Sequence, residues 1–125
     1  MNKMQSSLES LLPLTPAVFH ILLALTDGER HGYGIMQEIL AGTGGKFRIG
    51  PGTLYGSIKR MQADGLIEES EERSDPMLNN ERRRYYRLTP LGRRVAEAEA
   101  RRLYQVVNLA HRKQLLPGLE FSSGV

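Results

Sequence analysis

Thr53, Ser57, Lys59 and Arg60 put two hydroxyls and two cations within eight residues. Groups of these types give hydrogen bonds and charge to phosphate oxygens. A second set, Arg82, Arg83 and Arg84, is a short guanidinium run that either neutralises phosphates or pairs with carboxylates nearby. Those carboxylates are at hand in Glu68, Glu69, Glu71, Glu72 and Asp75. His20, His31 and His111 are too scattered for a metal site, and there is no cysteine to complete one. No Ser-His-Asp or paired-carboxylate arrangement stands out, so neither an active site nor a cofactor is expected. The chemistry in view is binding, not catalysis.

The formal charge of +3 sits elsewhere. Residues 1–50 and 51–90 each balance, while residues 91–125 carry six basic and three acidic side chains. Leu, Ile, Val and Phe make up 32 of the 125 residues, above the roughly 20% below which disorder is the better reading. That length suits one small domain with a long appended helix. The longest apolar stretch, residues 17–25, is broken by His20 and far too short to span a membrane. The start, MNKMQSSLES, has an acidic residue where an export signal would be apolar. The expectation is a soluble cytoplasmic protein with no membrane partner.

The elements that must position these groups can be read in turn. Thr15-Pro16 is a helix start, a hydroxyl cap followed by proline at the first helical position. This helix runs to about Thr26, and Val18, Phe19, Ile21, Leu22, Leu23 and Leu25 cover most of its circumference, which predicts burial on several sides. A second helix spans residues 33–41, with Met36, Ile39 and Leu40 on one face. Phe47 and Ile49 then alternate with Lys46 and Arg48 in an extended segment. Gly50-Pro51 opens a third helix that ends at Gly65. Leu66 and Ile67 begin a strand, a polar loop follows, and residues 83–88 return as its partner. Thr89-Pro90 repeats the helix start, and no breaker intervenes before Pro117-Gly118. Three helices, a hairpin and a long last helix give an α+β, mostly helical fold: a winged helix-turn-helix. The divisions are an N-terminal arm (1–13), the winged helix (14–89), a dimerisation helix (90–116) and a tail (117–125).

On a helical wheel, Leu54, Ile58 and Met61 fall within about 60° of one another and make the core stripe of the third helix. The opposite side holds Gly52, Gly56, Lys59, Arg60 and Ala63, flanked by Thr53 and Ser57 on one edge and by Tyr55 and Gln62 on the other. Two interior glycines weaken a helix, each by ~1 kcal/mol relative to alanine. Either the thinned face enters a major groove, or it packs tightly on another helix.

HGYGI at 31–35, GPGTLYGSIKRM at 50–61, DGLIE at 64–68 and RRYYRLTPLGRR at 83–94 resemble the PadR family of bacterial transcriptional regulators in order and spacing. The match covers about residues 14–113. The resemblance implies a homodimeric winged-helix repressor on a pseudo-palindromic double-stranded operator, released by a small-molecule effector. The rival is a winged-helix module that binds protein and lacks specific DNA affinity. The residues expected at DNA are Tyr33, Thr53, Tyr55, Gly56, Ser57, Lys59, Arg60, Arg82, Arg83 and Arg84. Tyr33 and Tyr55 either reach phosphates or pack between elements, and the arginines either enter the minor groove or pair across the hairpin. Leu103, Val106, Val107 and Ala110 are expected at a dimer interface. Two departures stand out: residues 42–50 make an unusually long connection before the third helix, and there is no tryptophan to stack a flat effector.

Overall fold

The computed structural model describes residues 8–75 and 81–118. The wing-tip turn at 76–80, the first part of the expected arm, the end of the tail and the side chains of residues 72–75, 81 and 82 lie outside that description. The elements are α1 (Pro16–Ala24), β1 (Arg30–His31), α2 (Gly32–Gly42), α3 (Pro51–Ala63), β2 (Ile67–Asp75), β3 (Glu81–Leu88) and α4 (Pro90–Arg112). The strands form one antiparallel sheet in the order β1-β3-β2. This is the winged helix, with β2 and β3 as the wing.

Both Thr-Pro signals form as expected. The Thr15 hydroxyl accepts from the Val18 amide at 3.2 Å, and the Thr89 hydroxyl accepts from the Gly92 amide at 3.0 Å. The core gathers Ile21 and Leu22 of α1, Ile35 and Ile39 of α2, and Leu54, Ile58 and Met61 of α3, closed by Leu66, Ile67, Tyr86 and Val95. The wheel of α3 is therefore the wheel of the structure. α1 is buried on several sides, with Ile21, Leu22, Ala24 and Leu25 in the core, while Leu23 stays 46% exposed.

β1 and the cap of α2 had no sequence signal. β1 is only two residues long and pairs Arg30 with Tyr86 and His31 with Tyr85. His31 also caps α2, its ring Nδ1 accepting from the Gly34 amide at 2.9 Å. The turn from α3 into β2 uses Gly65 at φ 76°, a left-handed position that closes the helix with the Leu66 amide donating to Met61 at 2.9 Å.

α4 ends at Arg112, four residues short of the expected Leu116. Gln114 takes the left-handed conformation at φ 65°, and the Leu115 amide donates back to Ala110 at 3.0 Å. The same C-terminal closure that glycine usually provides is made here by glutamine. The near half of α4 belongs to the domain: Gly92, Val95 and Glu99 are its buried residues.

Glu99 is the unexpected member of that set. Its carboxylate accepts from the Leu14 amide at 2.8 Å and from the Arg102 guanidinium, and so ties the segment before α1 to α4. The Arg102 hydrogen bond holds the carboxyl below the ordinary glutamate value of 4.5; burial opposes this, and the Leu14 amide adds to it. A depressed pKa stabilises the fold at pH above the unfolded value, and that stabilisation is lost as pH falls through the folded value. Glu99→Gln is expected to cost about 1–3 kcal/mol at neutral pH. Melting curves from pH 7 to pH 3 should show a shallower acid loss in this variant than in the wild type.

Candidate nucleic-acid interface

α3 presents its second face to solvent. Thr53, Tyr55, Gly56, Lys59 and Arg60 are exposed, and Ser57 is half-buried. A Cβ built at Gly52 or Gly56 would meet no atom within 4 Å, so neither glycine is there to admit a neighbouring helix of this chain. Of the two readings left open by the wheel, close packing within the chain has no partner among the described residues. Gly50 caps α3 with no side-chain hydrogen bond, which leaves the first amides of the helix uncapped. Lys59 and Arg60 make no ion pair with a described residue.

Two recesses flank this face. On one side Thr53, Gly56, Ser57 and Arg60 line an open groove with Thr15, Ala17 and Val18 from the start of α1. On the other, Tyr55 meets His31, Tyr33, Arg83, Arg84 and Tyr86 around a recess of about 230 Å³. The second recess joins α2, α3 and the wing. Its floor depends on Gly32, where a Cβ would overlap the Tyr55 hydroxyl. The Tyr55 ring is thus laid across the start of α2 with 48% of the residue still exposed. Tyr33 is 44% exposed, and its ring stacks on His31 at 6.5 Å and 14°. His31 in turn meets the edge of Tyr85 at 5.3 Å. Burial, reinforced by Glu69 and Tyr55, pushes the Tyr86 phenol up, so it is a neutral hydrogen-bonding group at physiological pH.

Most of the expected site residues therefore assemble on one side of the domain. Lys59 is exposed on α3 but lines neither recess. Arg82 stands opposite Ser74 in the strand register, with its side chain outside the described residues. The wing arginines differ in how closely they pair across the hairpin. Arg87 is engaged, at 2.8 Å from Glu68 and 3.8 Å from Glu29. Arg84 is 69% exposed and only 3.7 Å from Glu69, a loose pair that solvent screens. The lining contributed by Thr15, Ala17, Val18, His31 and Gly32 was not foreseen. The HGY segment was the one available hint, since a glycine beside a tyrosine marks close approach.

The far half of α4 leaves the domain with Val106, Val107 and Leu109 at 39–54% exposure, and Leu103 and Ala110 half-buried. No helix among the described residues is long and apolar enough to cross a membrane. No group of three or more His, Asp or Glu residues suited to a metal ion occurs among them.

Residues 21–98 match the model of the Transcriptional regulator PadR-like family. The chain is 34% identical over 105 residues to Transcriptional regulator Rv3488 of Mycobacterium tuberculosis (strain ATCC 25618 / H37Rv), covering 84% of this chain and 87% of that one. It is 41% identical over 80 residues to an uncharacterized 37.1 kDa protein in transposon TN4556 of Streptomyces fradiae, covering 64% of this chain but only 21% of that protein. Among solved structures, a PadR family transcription regulator from Clostridium difficile R20291 superposes with a TM-score of 0.66 at 22% identity, covering 80% of this chain and 99% of that one. A transcriptional regulator from Clostridium thermocellum gives 0.64 at 25% identity, covering 77% and 87%. With the winged helix, the open face of α3 and a family match over most of the folded domain, the chain belongs to the PadR-like family of DNA-binding transcriptional regulators.

Proposed function

We propose that this chain is a homodimeric repressor that reads a pseudo-palindromic operator with α3 in the major groove. The observation that carries the reading is the α3 face itself: two glycines with open space above them, beside Lys59 and Arg60 with no described ionic partner. Thr53 and Ser57 supply hydroxyls, Tyr33 and Tyr55 reach phosphates, and Arg82, Arg83 and Arg84 track the flanking backbone or minor groove. Two copies pair through Leu103, Val106, Val107 and Ala110, which sets the reading helices about one turn of duplex apart, ~34 Å. Release by a small-molecule effector follows from the family resemblance alone.

A gel shift at low salt with DNA from upstream of the chain's own gene tests this reading. Affinity should exceed that for random duplex and fall steeply as salt rises. Lys59→Ala combined with Arg60→Ala should weaken it roughly tenfold or more while the melting temperature holds. Equal affinity for random DNA would sink the operator reading, and a monomer mass at micromolar concentration in sedimentation would sink the dimer.

A further inference from the structure

The connection between α2 and α3, residues 43–50, is built, not slack. Thr43 anchors it: its hydroxyl donates to Ile39 at 2.9 Å and accepts from the Phe47 amide at 3.0 Å. Gly44 and Gly45 follow at φ 62° and 80°, a pair of left-handed positions that turn the chain back. Phe47 then stacks on His20 of α1 at 4.6 Å between ring centres, and Ile49 is 8% exposed in the core. With those two residues turned inward, Lys46 and Arg48 are both exposed. Neither makes an ion pair with a described residue.

The placement of this arm gives its cations a use. The wing arginines and Tyr55 lie along one edge of α3, while Thr53, Ser57 and the start of α1 lie along the other. Through Phe47 the arm is fastened to α1, the helix whose start lines that second edge, and it runs directly into α3 at Pro51. A helix in a major groove has a sugar–phosphate strand on each side. The wing arginines serve one strand, and Arg60 alone of the cations assigned so far lines the other edge.

We infer that Lys46 and Arg48 are backbone contacts of the DNA complex, gripping phosphates beside the start of α3. The inference rests on α3 being the reading helix. Two exposed cations on a pinned arm give up little conformational freedom on binding compared with cations on a loose loop. Contacts of this class add affinity without sequence preference.

The experiment follows binding by fluorescence anisotropy, using a random duplex of about 30 base pairs and the same length of upstream DNA, over a range of salt. Proteins compared are the wild type, the double variant Lys46→Ala/Arg48→Ala, and Arg101→Ala on the exposed side of α4. The double variant should bind both duplexes roughly 10–50-fold more weakly, and its log K against log salt should be shallower by about 1.8 per protomer. Arg101→Ala should match the wild type. Unchanged affinity and slope in the double variant would overturn the inference, as would a loss confined to the upstream duplex, which would signal base contact. A wild type with no affinity for either duplex would instead overturn the reading of α3, and the inference with it. Melting temperatures confirm that both variants are folded.

Discussion

Gly56→Leu is expected to raise the melting temperature by roughly 3–6 °C and to weaken DNA binding by at least about 100-fold. The two effects come from the same open space. Glycine in a helix interior is less favourable than leucine by nearly 1 kcal/mol, because its backbone loses more freedom on folding. Beyond its own helix turn, no described residue comes within 4 Å of the position the new Cβ would take, so the gain is not offset by a clash. In the proposed complex that space is filled by the groove. A major groove about 12 Å wide admits a helix closely, and a leucine on the leading face holds the backbone off the base edges. Every hydrogen bond from Thr53 and Ser57 lengthens together. Gly56→Ala should show the same signs with a smaller binding loss. Thermal unfolding and anisotropy read the two halves separately. A variant that binds like the wild type would show that this face is not the reading surface.

The opposite result is expected at the other helical glycine tested, Gly92→Ala. By propensity alone, this substitution should stabilise. A Cβ at Gly92 would overlap the carbonyl oxygen of Leu66 and lie 2.9 Å from its carbonyl carbon. That carbonyl also accepts the Thr89 amide at 3.1 Å, so it has no freedom to swing aside. The obstacle is backbone at the junction of α3, β2 and α4, where Val95 and Leu66 are 0% and 2% exposed. Relief requires α4 to lift or the strand to shift, and either opens the core. The expected loss is about 2–4 kcal/mol, a large share of the ~5–15 kcal/mol that holds a domain of this kind together. In the melting temperature this is a fall of roughly 10–20 °C. An unchanged or higher value would mean that the junction yields more easily than its packing implies.

The contrast between these two glycines shows which information the sequence contains. Local periodicity was enough for Leu54, Ile58 and Met61, and local capping chemistry for Thr15 and Thr89, because each signal lies within one turn of the feature it sets. The constraint at Gly92 and Gly32 is not local, since the atoms that forbid a side chain there, in Leu66 and Tyr55, are more than twenty residues away. Glu99 carries no local sign of its burial. Its spacing to Arg102 is right, but nothing local says that the chain before α1 crosses that side of α4. β1 was invisible because two residues carry no alternation, and its pairing to β3 spans over fifty positions. The residues proposed to face DNA were named from α3 and the wing, but the grouping of most of them into two recesses was not legible. The start of α1 lines one of them and was read only as core.

α4 has a consequence for how targets are told apart. Its near half is locked into the domain by Val95 and Glu99, and its far half continues without a glycine or proline as far as Arg112. The whole element, roughly 35 Å long, therefore behaves as a stiff spoke with no swivel. For two copies joined at the outer ends of their spokes, the azimuth of one α3 about the duplex axis dictates that of the other. Inserting about five base pairs between half-sites turns one groove to the far side of the duplex, and such a protein has no joint with which to follow it. Torsional phase then becomes a selection rule of its own. Chance matches to each half-site, however good, are ignored unless they also face the same way.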